Sequence, residues 1–444
     1  MRWMPAIVIA LAACVFLITG CQRDASKPSS SSLRDVTLRL WTLQMGAFSP
    51  LIRQSIREFE KTHPGVHVQW EDLPFTEGKK RAIAAILSPS VPDVINLNPG
   101  FAAILAQRSA LINMNTALTP SEQAAYVPVV WQATQMQQSP VRTVSVGIPW
   151  YVTTTITLAN QALLPKKQNQ TVIPESWSQV STLASWLEQK HSAKVMMPTL
   201  SEGGSFLKLL RREGIEPIST SNGCLQWSDD ARVAQRLQFF KLLFARRLIP
   251  AEALTEGHRA SVEQYLAARL ALLSIGGNFL SSVRDNAPEV YASTNIAPAF
   301  PQEGFKQNGY LDVSPMVLVV PVKSRHRRLA VALAKHLTQS SFQLALARSV
   351  AVLPSILDAY LDDPAFFGLS TVKTHSLPMS LESRARALAA WQLLNAKVTN
   401  PLLINDAQIN AAVDFAVQSA LLNQVSIDEA LKQAEHAVNA SFCD

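Results

Sequence analysis

The chain has 444 residues, a formal net charge of +7 and 48% hydrophobic residues. That length exceeds what one compact core serves and suits two domains. The positive excess is diffuse: Lys79-Lys80-Arg81, Arg211-Arg212, Arg246-Arg247 and Arg325 to Arg328 are short clusters between neutral stretches, not the basic stripe with interleaved aromatics of a nucleic-acid protein.

Arg2, an apolar run from Ile7 to Ile18 and then Thr19-Gly20-Cys21 have the form of a bacterial signal peptide of the lipoprotein type. The run is short of the ~20 residues a spanning helix needs, so residues 1–20 are expected to be a cleaved leader. Cys21 is the expected lipid acceptor, which would leave the protein outside the cytoplasm and anchored to the cell membrane. Residues 21–34 are Ser-rich and polar, as a flexible spacer is.

Val36 to Trp41 alternates as a strand does, and Leu51 to His63 carries Leu51, Ile52, Ile56 and Phe59 at helical spacing. Pro64-Gly65 stops that helix, and Val66 to Trp70 alternates again. A second round follows: a helix over 78–87, a buried strand over 92–97 and a helix over 101–110. This β-α-β repetition predicts a mostly parallel sheet covered by helices, with ligands beyond the carboxyl ends of the strands. Those ends read Trp41 to Gln44, Trp70-Glu71-Asp72 and Leu97 to Gly100. Residues 144–158, rich in β-branched and aromatic side chains, should be extended and could run from one domain into the next. Helices are expected near 177–189, 231–247 and 261–270, and a strand over 270–279 that closes on Gly276-Gly277.

Nothing marks an exported hydrolase. H-E-x-x-H and G-x-S-x-G are absent, and His63, His67, His191, His258, His326, His336, His375 and His436 stand singly. No C-x-x-C pair supports a zinc or redox site. With Cys14 in the leader and Cys21 lipidated, Cys224 and Cys443 remain and could form a disulfide in an oxidising compartment. No cofactor and no metal are expected.

An ordered series of segments is similar to the extracellular solute-binding proteins of ATP-binding cassette importers, in the sugar-binding branch that includes maltose-binding protein. It runs through Trp41, Phe59 to Val66, Pro92-Asp93-Val94, Gly147 to Tyr151, Leu158-Ala159-Asn160, Pro174 to Trp177, Gly276 to Phe279 and Ser426 to Leu431. The resemblance implies an α/β fold of two lobes joined by crossing strands, each lobe a mostly parallel sheet flanked by helices. Lobe one would comprise 35–152 with 287–340, and lobe two 153–286 with 341–444. It implies capture of a carbohydrate, delivery to membrane permease subunits, and a monomer. A polyol, a glycerol phosphate ester or a polyamine in the same fold is the alternative.

Carried over by position, the implied ligand contacts are Gln44, Glu71, Asp72, Asn98 and Tyr151 in lobe one, and Ser205, Phe206, Asn278, Phe279 and Trp391 in lobe two. Glu71 and Asp72 could instead cap a helix, and Gly203-Gly204-Ser205 could cradle ligand or be a plain turn. Trp41, Trp70 and Trp177 suit core positions better. Gln44, Met45 and Asn98 depart from the charged and aromatic residues of the maltose-binding pattern.

Overall fold

The computed structural model describes residues 35–88, 90–139, 142–219, 224–302, 306, 309–369, 379–398, 402–403 and 405–442. The leader, Cys21 and Cys443 lie outside them. The opening β-α-β unit forms as its periodicity predicts: β1 is Val36–Leu43, α1 is Ser49–Thr62 and β2 is Val66–Leu73. The helix buries Ile52, Ile56 and Phe59 on one face. It ends at Pro64-Gly65, where Gly65 takes a φ of 81° that side chains rarely adopt. The second round gives α2 (Phe75–Leu87), β3 (Val94–Leu97) and α3 (Pro99–Gln107).

Strands β2, β1 and β3 are mutually parallel. The next strand in space is contributed from far along the chain. Residues 144–158, expected as one extended run, are interrupted: Arg142–Ser145 pairs in a hairpin with Gln135–Ser139, and β4 begins only at Ile148 and continues to Asn160. The break falls at Gly147, where a Cβ would stand 3.0 Å from the Leu318 carbonyl and 3.1 Å from Val317 Cβ, so backbone approaches backbone there.

Along its 13 residues β4 changes partners. Its first half pairs antiparallel with β7 (Val313–Val319) and with β8 (Leu353–Pro354). Its second half pairs with β5 (Leu272–Gly276) and β6 (Thr294–Ala297). In space the order is β6-β4-β7-β3-β1-β2.

Two lobes follow from where side chains are buried. In lobe one, Leu38, Leu40 and Leu318 face α1, while Trp41, Ile95, Val317 and Val319 pack on the opposite side against α3. Alternation along each strand puts successive residues on opposite faces, and both faces are covered. Lobe two packs α4 (Trp177–His191), α5 (Ser205–Arg212), α6 (Ala231–Ala245) and α7 (His258–Leu266) around Trp177, Phe206, Trp227, Phe240 and Tyr265. After α8 (Arg327–His336) and α9 (Ser340–Ser349), α10 (Leu381–Leu394), α11 (Asp406–Leu421) and α12 (Ile427–Phe442) complete that core.

Buried contacts cross the positional division at several places, with Val127, Val129, Val130, Ala133 and Val152 in the larger cluster. Val290 and Phe300, expected in lobe one, pack into the larger core, and β6 extends its sheet. Helix α9 straddles the divide, with Phe342 and Leu346 in the first core and Leu344 and Ala347 in the second. Trp41 and Trp177 are buried, and Trp70 donates its indole N–H to Thr42 Oγ1 at 2.8 Å. Cys224 is disulfide-bonded.

Candidate functional site

A cavity of about 1330 Å3 opens where β4 crosses between the lobes. Lobe one supplies Gln44, Asn98, Phe101 and Tyr151 to its wall. Lobe two supplies the Gly203-Gly204 turn, Lys208, Arg211, Asn278, Phe279, Asp406 and Asn410, and α7 adds His258, Arg259 and Glu263.

Gln44 ends β1 with a φ of 56°, a left-handed conformation uncommon outside glycine. The Asp72 carboxylate fixes the turn that presents it, accepting the Met45 amide at 2.9 Å and the Thr42 hydroxyl at 2.6 Å. Asp72 therefore supports the wall and does not line it. Glu71 turns away to pair with Arg81 at 2.9 Å.

Asn98 begins α3 and caps it, its side chain accepting the Phe101 amide at 2.9 Å. Tyr151 projects from β4, and its hydroxyl lies 3.7 Å from Met45 Sδ. Burial, reinforced by the Asp72 charge, pushes its phenol up to about 12, so it is a neutral donor and acceptor at physiological pH. Asn278 follows β5, its side-chain oxygen folded back over Gly276, where a Cβ would sit 2.4 Å from it.

Gln44, Asn98, Tyr151, Asn278 and Phe279, expected at the site from sequence, are brought together in this cavity. The others lie elsewhere. Ser205 opens α5 and gives its hydroxyl proton to the Glu202 carbonyl. Phe206 is fully buried, edge-on to Trp227 and Phe240. Trp391 stands half-exposed on α10, outside the cavity.

Sequence reasoning missed the charged part of the lobe-two wall. Lys208 and Arg211 lie three residues apart on one face of α5, and Arg211 is 5% exposed and paired with Glu216 at 3.2 Å. Facing them, Asp406, Asn410 and Asp414 recur every four residues along α11, a spacing that puts them on one helical face. Asn410 Nδ2 donates to Asp406 Oδ2 at 2.9 Å. Burial pushes the Asp406 carboxyl up, an effect eased by Lys208, Asn410 and Arg211. The i, i+4, i+8 pattern was the available signal.

Among the described residues no group of three or more His, Cys, Asp or Glu side chains is placed to hold a metal ion. No described helix is long and apolar enough to cross a membrane. The site is an array of amides, rings, a phenol and charged side chains around a cleft between the two lobes. Such an array suits recognition of a solute that offers hydroxyls and apolar faces.

The chain belongs to the bacterial extracellular solute-binding proteins, whose family pattern matches residues 44–343. It has the two-lobe periplasmic-binding fold. One similar structure is a Synechococcus sp. MITs9220 protein assigned as an oligosaccharide periplasmic-binding protein and solved with zinc. It is 30% identical, with a TM-score of 0.79, over 91% of this chain and 98% of that one. The GacH receptor of Streptomyces glaucescens GLA.O, solved unliganded and with acarbose, is 18% identical with a TM-score of 0.71, over 92% and 99% of the two chains. Maltose-bound MalE3 of T. maritima is 18% identical with a TM-score of 0.68, over 92% and 100%. Among curated proteins, no sequence matches the chain.

Proposed function

We propose that this protein captures a carbohydrate in the cavity between its lobes and hands it to an ATP-binding cassette permease. The observation that carries this reading is the joint lining by Gln44, Asn98 and Asn278 with the rings of Phe101, Tyr151 and Phe279. Carboxamides both donate and accept hydrogen bonds to hydroxyls, and rings cover the apolar face of a sugar. The ligands of the structurally similar proteins, acarbose and maltose, point the same way.

The cations of lobe two do not argue for a phosphate ester. Arg211 is paired with Glu216 at 3.2 Å and Arg259 with Glu263 at 3.6 Å, and Lys208 shares the wall with Asp406, so each cation of the wall has an acid beside it or across the wall. The volume exceeds the several hundred Å3 that encloses a drug-sized ligand, which favours an oligosaccharide over a single ring.

Binding works by population shift. A ligand that touches both lobes only when they are closed stabilises the closed form by its differential affinity, and the permease reads that form. Lobe one is proposed to comprise 35–152 with about 313–340, and lobe two 153–312 with 341–444, because β6 pairs with the second half of β4, beyond the crossing. Lipidation at Cys21 would hold the monomer at the outer face of the cell membrane, where docking needs no long diffusion.

Thermal unfolding of the leaderless protein against mono- and oligosaccharides, polyols and polyamines tests the ligand class, since a ligand bound only to the native state raises the melting temperature. A rise with an oligosaccharide is expected. A rise confined to polyamines or polyols would replace the carbohydrate. Mass spectrometry of the membrane fraction tests the anchor: the N-terminal peptide should carry lipid on Cys21.

A further inference from the structure

The Gly203-Gly204 turn that lines the cavity is held from behind by α11. Both glycines adopt positive φ, 59° and 68°. The Gly204 amide donates to Asp414 Oδ1 at 3.1 Å, and Asn410 fills the space beside Gly204. The turn leads directly into α5, which carries Lys208 and Arg211 to the cavity. Asp414 itself is not among the cavity-lining residues.

We propose that Asp414 is a positioning residue: its ionised carboxylate holds the Gly203-Gly204 turn, and with it the start of α5, in place for ligand, so that the wall loosens and affinity falls on acidification. The inference rests on reading this cavity as the ligand site.

The surroundings set where this happens. Burial pushes the Asp414 carboxyl up to about 6, opposed by the Gly204 and Gly203 amides and by Lys208 of α5, and assisted by Glu202 of the preceding turn. From the other helices packed on α11, α6 contributes the buried Val233 and Leu237 to the shared core and α12 contributes Ala430 and Leu431, while Glu429, Lys432 and His436 of α12 line a groove with Ala412, Phe415 and Ala416; the charges that act on Asp414 are those of Lys208 and Glu202. A hydrogen bond to an ionised acceptor is about twice as strong as one to a neutral acceptor. Protonation therefore weakens the hold on Gly204 without removing it.

The contribution of Asp414 itself to global stability moves the opposite way. A carboxyl whose folded value lies above its unfolded one stabilises the fold at low pH, and this contribution is lost as pH rises through about 6. Loosening of the turn is told apart from general unfolding by peptides of the buried core, whose protection should not fall together with that of 202–208.

Hydrogen–deuterium exchange of the ligand-free protein, expressed as protection factors over pH 5 to 7.5, is the direct test. Protection of the peptide spanning 202–208 should fall about fivefold on acidification in the wild type, with a midpoint near 6. In Asp414→Asn, which keeps an acceptor, it should be pH-independent at the acidified level. A flat wild-type profile, or a variant that titrates like the wild type, overturns the proposal, and the wild-type profile decides alone if the variant fails to fold.

Calorimetry with maltotriose at the two pH limits reads the coupling. A similar fivefold weakening at pH 5 is expected, and unchanged affinity beside a titrating turn removes the link to binding. If the turn titrates while neither maltotriose nor any other saccharide binds, the carbohydrate reading fails and the positioning role stands.

Discussion

The side-chain oxygen of Asn98 accepts the Phe101 amide at 2.9 Å, so one residue of the cavity wall both caps α3 and fixes the ring beside it. Its oxygen is committed to the helix, which leaves Nδ2 as the group free to donate to a ligand hydroxyl. Asn98→Asp keeps the cap and loses the donor: its melting temperature should stay close to wild type while saccharide affinity falls by calorimetry. Asn98→Ala should lose affinity and also about 1 kcal/mol of stability. Equal affinity in both variants and the wild type would take Asn98 out of the site.

At Gly204 two obstacles to a side chain coincide. The φ of 68° disfavours any Cβ, and the Cβ would approach Asn410 Oδ1 to 2.0 Å. Gly204→Ala should cost roughly 1–3 kcal/mol by urea denaturation. The double variant with Asn410→Ala should recover only the steric part, because the backbone strain persists. Full recovery would mean that the left-handed conformation costs nothing here.

All six tyrosines have phenols held above their ordinary value. Burial is the leading cause at Tyr126, Tyr151, Tyr265, Tyr291 and Tyr360, and a hydrogen bond to Glu216 leads at Tyr310. The unfolded chain therefore sheds these protons first as pH rises. The stability they contribute is complete below about pH 10 and lost above it. An alkaline titration followed by phenolate absorbance should rise together with loss of circular dichroism. Phenolate appearing at pH 10 with the fold intact would contradict this burial.

Gln392 is fully buried beside the crossing strand. It accepts the Ala299 amide at 2.7 Å and donates to the Thr155 carbonyl at 3.2 Å. Gln392→Leu would leave two buried backbone groups without partners, at about 1–3 kcal/mol for each. The melting temperature should fall by several degrees or more. An unchanged melting curve would show that water replaces the side chain.

The neighbouring positions 391 and 392 show what the sequence could and could not convey. A tryptophan is a conspicuous candidate for stacking on a sugar, yet Trp391 stands outside the cavity while the inconspicuous Gln392 ties β4 to the 299 segment. The β-α-β units were legible because apolar periodicity and the Pro64-Gly65 stop act within a few residues. Gln44 and Asn98 were expected for a related reason: they follow the carboxyl ends of β1 and β3, where an open sheet places its ligands, whereas Tyr151, near the amino end of β4, was expected only from the family resemblance.

The lobe-two wall was not legible. Phe206 and Lys208 are two residues apart on α5, which is about 200° around a helix, so one reaches the core and the other the cavity. Assigning which face of α5 meets solvent depends on α11, some two hundred residues further on. The same dependence hid Asp406 and Asn410, whose polar spacing resembles an ordinary exposed helix face. It also sets the place of β6, which is fixed by its pairing with the second half of β4 and not by its position in the chain.

The unbroken pairing at the middle of β4 sets a limit on motion. Thr154 still pairs with Val313 while Thr155 already pairs with Gly276, so no slack residue separates the two halves. Any swing of one body against the other has to be taken up as torsion of shared ribbon, which restricts both its direction and its reach. A cut at this point would expose a raw strand margin on each fragment. The two halves should therefore be insoluble when produced apart and recoverable only when refolded together.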